Sequence, residues 1–76
     1  MSYVIGAAKY CSNPSFWRFL AAETDTPVND KEAAANQLRI LCGIKSRSEL
    51  SSNQFARAAY TGLITQFNEF LRRERQ

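Results

Sequence analysis

The sequence predicts an all-α fold: a small single-domain bundle of four helices plus a short turn, organised on a long C-terminal helix. Three observations lead there. The last third of the chain repeats apolar residues at helical period. Helix-start and helix-stop residues punctuate what precedes it. No stretch alternates apolar and polar residues with the β-branched enrichment of a strand. With 76 residues there is room for one domain, 1–76, and one small core. Apolar residues make up 45 % of the chain, and the five Phe, three Tyr and one Trp dominate its burial.

Taken in order, Ser2 is placed to cap a first helix from Tyr3 to about Cys11, with Val4, Ala7, Ala8 and Cys11 on its apolar stripe and Gly6 as a weak point or a close-packing spot. Ser12-Asn13-Pro14 breaks and restarts the chain. Asn13 is a good N-cap, and Pro14 falls at the first helical position, where its missing N–H costs nothing. The second helix then runs to about Glu23, with Phe16, Phe19 and Leu20 on one face and Trp17 offset from it.

Thr24 to Val28 reads as a linker, because Pro27 pushes Thr26 to an extended conformation. Asn29 and Glu32 have the spacing of a capping box. The third helix follows from Asp30 to about Cys42, burying Ala34, Leu38, Leu41 and Cys42. Gly43 is placed as the left-handed residue that ends it, and Ile44 folds back on its last turn. Ser46 and Glu49 again fit a capping box, which predicts one short helical turn.

Ser51-Ser52-Asn53 supplies the cap for the long helix, Asn53 to Gln76, about 33 Å at helical rise. Ala56, Tyr60, Leu63, Phe67 and Phe70 form its stripe, widened by Ala59, Ile64 and Leu71. Arg57, Thr61, Asn68, Arg72 and Arg75 lie opposite. Leu63 and Phe67, in the middle of that stripe, are the expected centre of the core.

Residue chemistry narrows function by exclusion. There is no histidine, hence no ordinary general base near neutral pH, and no nucleotide-binding, nucleophile-elbow or zinc-protease pattern occurs. Asp30 with Glu32, and Glu69 with Glu74, read as helix-dipole and solvated-face charges. Cys11 and Cys42 sit on apolar faces and read as buried, reduced thiols, a disulfide being the other reading. Two thiols without His do not make a tetrahedral zinc site in one chain. The expectation is a protein that is not an enzyme, with no cofactor, metal or small-molecule substrate. No signal peptide, lipidation motif or membrane-length apolar run is seen, so a cytoplasmic location away from membranes is expected.

Charge points to what is bound. Residues 1–38 sum to −1 and residues 39–76 to +4, giving the overall +3. The second half carries Arg39, Lys45, Arg47, Arg57, Arg72, Arg73 and Arg75, and arginine favours bidentate contact with phosphate or carboxylate. These seven are the candidate partner-binding residues. Arg47 opens the turn after Gly43, where backbone N–H groups would add to its pull on an anion. Arg72, Arg73 and Arg75 also read as cations that complement a helix C-terminus. Trp17 with Arg18 reads either as a stacking and phosphate-binding pair or as a core anchor beside a surface cation. Leu38 to Leu50 invites comparison with a helix-turn-helix, since Gly43 and Ile44 fit its turn. Arg39, where a small residue permits close helix crossing, departs from it.

The segments F-W-R-F-L from Phe16, A-A-A-N-Q-L-R-I-L-C-G-I-K-S-R-S-E-L from Ala33 and F-N-E-F-L from Phe67 resemble short helical accessory proteins of bacteriophage and prophage genomes, some encoded near replication and recombination genes. The resemblance implies a bacterial host cytoplasm and a binding role in phage–host biology, and it carries no functional residues over. Two functions stand side by side. One is a binding module that engages DNA, RNA or a nucleoprotein complex through the arginines of the second half. The other is an inhibitor or adaptor, of the kind of anti-CRISPR proteins, that binds a host defence protein. A homodimer built on the long helix is compatible with either.

Overall fold

The computed structural model describes residues 3–74, which places the Ser2 cap and Arg75 outside the described residues. Helix α1 spans Tyr3–Cys11, α2 Pro14–Thr24, α3 Lys31–Cys42 and α4 Gln54–Glu74, with a 3-10 turn at Arg47–Ser51. The order is the expected one, and every described element is helical.

Local chemistry explains the joints. Asn13 Oδ1 accepts from the Ser15 N–H at 2.9 Å, with Pro14 opening α2 behind it. Asp25, at φ 52°, closes α2 in the left-handed region, which Asp tolerates better than most residues. The cap of α3 is Asp30, not Asn29: its Oδ1 accepts from the Ala33 N–H at 2.7 Å. The shift by one residue puts Glu32 a position too early to close a reciprocal box. Gly43, at φ 69°, ends α3, and the Ile44 N–H returns to the Arg39 carbonyl at 2.9 Å. The box at the 3-10 turn is present as expected. Glu49 Oε2 accepts from the N–H groups of Lys45 and Ser46 at 2.7 and 3.0 Å. Asn53 Oδ1 takes the N–H groups of Phe55 and Ala56 to start α4.

The long helix is the packing partner of the others, against α2, α3 and the 3-10 turn. Its 21 residues give about 31 Å at helical rise, most of the 37 Å long dimension of the molecule. Phe67 is 2 % exposed. It meets Phe16 edge-on at 5.0 Å between ring centroids, Phe19 at 5.5 Å and Tyr10 at 5.8 Å. Aromatic pairs in these orientations add to plain area burial. Leu20, Leu38, Leu50 and Cys11 are the other large side chains that are fully buried.

Two expected core positions are not there. Leu41 is 40 % exposed. The buried stripe of α3 runs Ala34, Ala35, Leu38 and Cys42, so its centre turns toward Ala35 and leaves Leu41 at the opposite edge. Ala59 is exposed on α4, whereas Ile64, Phe70 and Leu71 are half-buried against the core. Both expectations assumed a wider apolar stripe than the small neighbouring helices can cover.

Helix α1 packs on α2, α3 and the 3-10 turn, but it meets α4 through aromatic rings. Tyr3 and Tyr10 approach Tyr60 at 6.1 and 6.4 Å between centroids. Gly6 lies beside the Tyr60 hydroxyl, where an added Cβ would come to 3.4 Å from the oxygen. A groove therefore remains between the two helices.

Candidate partner-binding site

The arginines of the second half do not form one surface. The structure places Arg39, Lys45 and Arg47 together in the α3-to-3-10 corner around Gly43, with Arg57 one element further on. Arg72 and Arg73 lie at the far end of α4.

At the corner, Arg39 hydrogen-bonds the Asn36 side-chain oxygen. Lys45 is exposed, and Arg47 is half-buried. Arg47 and, less strongly, Arg39 are near enough to Cys11 to act on its thiol electrostatically. Burial is the larger effect and raises the Cys11 pKa; Arg47 and Arg39 only oppose it. Cys42 is raised by burial and by the neighbouring Cys11. Both thiols are buried and free, so the reduced state expected from the sequence is the one the structure contains.

Arg57 is held twice. It donates to the Ser51 carbonyl at 3.0 Å, and its guanidinium sits over the Tyr3 ring at 5.7 Å, within cation–π range. It is thus half-buried rather than on an exposed face. Among the described residues, none of these four corner cations pairs with a carboxylate. The one carboxylate of the corner, Glu49, is occupied by backbone N–H groups. The Lys45 and Ser46 N–H groups are thus taken by Glu49 and that of Ser48 by Ser46 Oγ, which leaves fewer of them to assist Arg47 than the sequence suggests.

The other end is different. Arg18 pairs with Glu74 at 3.0 Å, and Arg72 with Glu69 at 3.7 Å. Arg73 is exposed at the same end, and Arg75 lies outside the described residues. Arg18 thereby leaves Trp17, whose indole N–H donates to the Cys11 carbonyl at 2.7 Å. Trp17 is a half-buried anchor between α1 and α2, and the stacking pair is not formed.

The helix-turn-helix comparison fails on length. Its second helix would be the five-residue 3-10 turn Arg47–Ser51, whose Leu50 is fully buried. This is a corner joining α3 to α4, and the 3-10 turn is too short to serve as a recognition helix.

Sequence reasoning missed one feature, the groove between α1 and α4. It has a volume of about 690 Å³ and is lined from both helices. Tyrosines read as core or surface residues from periodicity alone, so no local signal marks it. Among the described residues no cluster of three or more metal-ligating side chains occurs, and no helix is long and apolar enough to cross a membrane. No family model, curated protein or solved structure matches this chain, so its function is read from its own geometry.

Proposed function

We propose that this chain is a non-catalytic binding module, of phage accessory type, that engages nucleic acid or a nucleoprotein complex through its Gly43 corner. The observation that carries this is charge availability. Among the described residues Arg39, Lys45, Arg47 and Arg57 have no carboxylate partner, whereas Arg18 and Arg72 are matched by glutamates. Cations held by neutral partners keep their full charge for an outside anion, and the guanidinium forks suit phosphate oxygens. Held in place by Asn36 for Arg39 and by Ser51 and Tyr3 for Arg57, these two arginines also lose less side-chain freedom on binding.

A short cationic corner of this kind reads charge, not base sequence. The test is affinity capture from a bacterial lysate with and without nuclease, followed by anisotropy with labelled DNA and RNA. Nuclease-sensitive capture and binding that weakens steeply with salt support the reading. Nuclease-resistant capture of a single protein, with salt-insensitive binding, supports the inhibitor or adaptor reading instead. The observation favouring that second reading is the exposure of Phe55 and Ile40, at 79 % and 69 %, since exposed aromatics are typical anchors of protein interfaces.

A further inference from the structure

We propose that the anion taken at the Gly43 corner is a single strand of nucleic acid, DNA or RNA, with a base stacked on the Phe55 ring. This rests on the corner being a nucleic-acid site, and it adds which form of nucleic acid fits and which side chain meets a base.

Phe55 stands apart from the other phenylalanines. Phe16, Phe19 and Phe67 are buried and Phe70 is half-buried, whereas Phe55 is 79 % exposed. The ring contributes little to the core, yet its backbone is firmly placed. The Phe55 N–H donates to Asn53 Oδ1 at 3.0 Å, and the Asn53 N–H donates to the Glu49 carbonyl at 2.8 Å. Glu49 in turn accepts from the Lys45 and Ser46 N–H groups through its carboxylate. This run of hydrogen bonds ties Phe55 to the segment that carries Lys45 and Arg47. A phenyl ring on a fixed backbone has few torsions left to order, so a base laid on it loses little to entropy. An exposed ring among unneutralised cations is the pattern of single-strand sites, where rings take bases and cations take phosphates.

The corner suits a strand better than a duplex. Paired bases are stacked on one another and offer an outside ring no face, whereas an unpaired base does. The 3-10 turn Arg47–Ser51 is too short to serve as a recognition helix. The cations are also spread around the ring. Phe55 and Arg57 flank the buried Ala56, about 100° of helix turn to either side of it. Arg57, over the Tyr3 ring at 5.7 Å, therefore stands on the other flank of α4 from Phe55, while Arg39 and Lys45 belong to the segment before it. A flexible strand bends between cations so placed. A duplex, with a persistence length of about 150 base pairs, does not.

The test measures anisotropy with labelled thymidine and uridine strands of about twelve nucleotides, within the usual range of single-strand sites, and with a duplex of the same length. The strands should bind more tightly than the duplex at equal salt, and the better of the two identifies DNA or RNA as the source. Phe55→Ala should melt like the parent and bind the strand at least about fivefold more weakly. Its slope of log affinity against log salt should stay the same, because no phosphate contact is lost. Phe55→Leu should lose as much, since stacking needs a ring and not only apolar area. Phe55→Trp should keep binding, with its added indole quenched by the strand, while the parent's Trp17, hydrogen-bonded to the Cys11 carbonyl, changes little. Equal or tighter binding of the duplex, or full strand binding by Phe55→Ala or Phe55→Leu, would overturn the proposal and leave the corner's anion binding standing. Nuclease-resistant capture of a protein that Phe55→Ala abolishes would give the ring to a protein interface and overturn it too. No binding of strand or duplex by the parent at low salt would overturn it together with the reading on which it rests.

Discussion

At the far end of α4, Arg18 and Arg72 face Glu74 and Glu69 across exposed pairs of 3.0 and 3.7 Å. At the Gly43 corner, Arg39 is held by an amide oxygen and Arg57 by a carbonyl and a ring, while Arg47 has no carboxylate partner among the described residues. The far end is the denser cluster along the chain, yet the corner keeps more unneutralised charge. The difference teaches that the density of arginine matters less than what each one already touches. An arginine beside glutamate has much of its field cancelled. One held by neutral groups is both positioned and still attractive to an anion.

Both ends depend on one core, so the largest expected effect is its loss. Phe67→Ala should cost about 3–5 kcal/mol, most of the stability of a domain this small. Corner and far end should then lose order together in a thermal melt. A melt equal to the parent's would remove the shared core from the comparison.

Next comes the corner itself. Glu49→Ala removes the acceptor for the Lys45 and Ser46 N–H groups and should destabilise by about 1 kcal/mol. Glu49→Gln keeps an acceptor and deletes the one carboxylate. It should tighten binding to an anionic partner with a smaller change in melting. If Glu49→Gln weakens anion binding, the corner is not the electrostatic site.

A smaller, pH-dependent effect comes from Tyr60, on the α4 wall between the two ends. Burial, then the neighbouring Tyr10, pushes its pKa up to about 12. The unfolded chain ionises Tyr60 near pH 10, while the folded chain retains the proton. Stability is therefore full below about pH 10 and declines as pH rises from there towards 12. Tyr60→Phe should flatten that part of the melting curve against pH. A decline of unchanged depth in Tyr60→Phe would assign it to other groups, the buried thiols among them.

The smallest effect is expected at the far end. Arg18→Ala should change stability by no more than about 0.5 kcal/mol, because its partner Glu74 is exposed and solvent screens the pair. A much larger loss in a urea melt would show that this end is built more tightly than its pairs suggest.

Much of this was legible in the chain. The four helices, the Gly43 terminator, the Ser46–Glu49 box and the Phe67 centre follow from residues acting on near neighbours in sequence. The same holds for the buried thiols. What escaped depends on rotation and on distant partners. Asn29 and Asp30 are both good caps, and only the path of the linker selects Asp30. Leu41 and Ala35 lie on opposite edges of one stripe, and the packing of α2 and α4 on α3 decides which is covered. Glu74 meets Arg18 across 56 positions of sequence, a pairing that no local pattern announces. The α1–α4 groove escaped for the same reason, since each of its walls looks ordinary alone.

The corner cations, and not the far-end ones, are proposed to face the anionic partner. The most direct measurement is the slope of log affinity against log salt for a nucleic acid probe, in two sets of variants that melt like the parent. Arg39→Gln with Lys45→Gln and Arg47→Gln should make the slope shallower by about 0.7–0.9 for each phosphate no longer neutralised, whereas Arg72→Gln with Arg73→Gln should leave it unchanged. A slope that flattens only in the far-end variant, or binding with no salt dependence in the parent, would contradict the account.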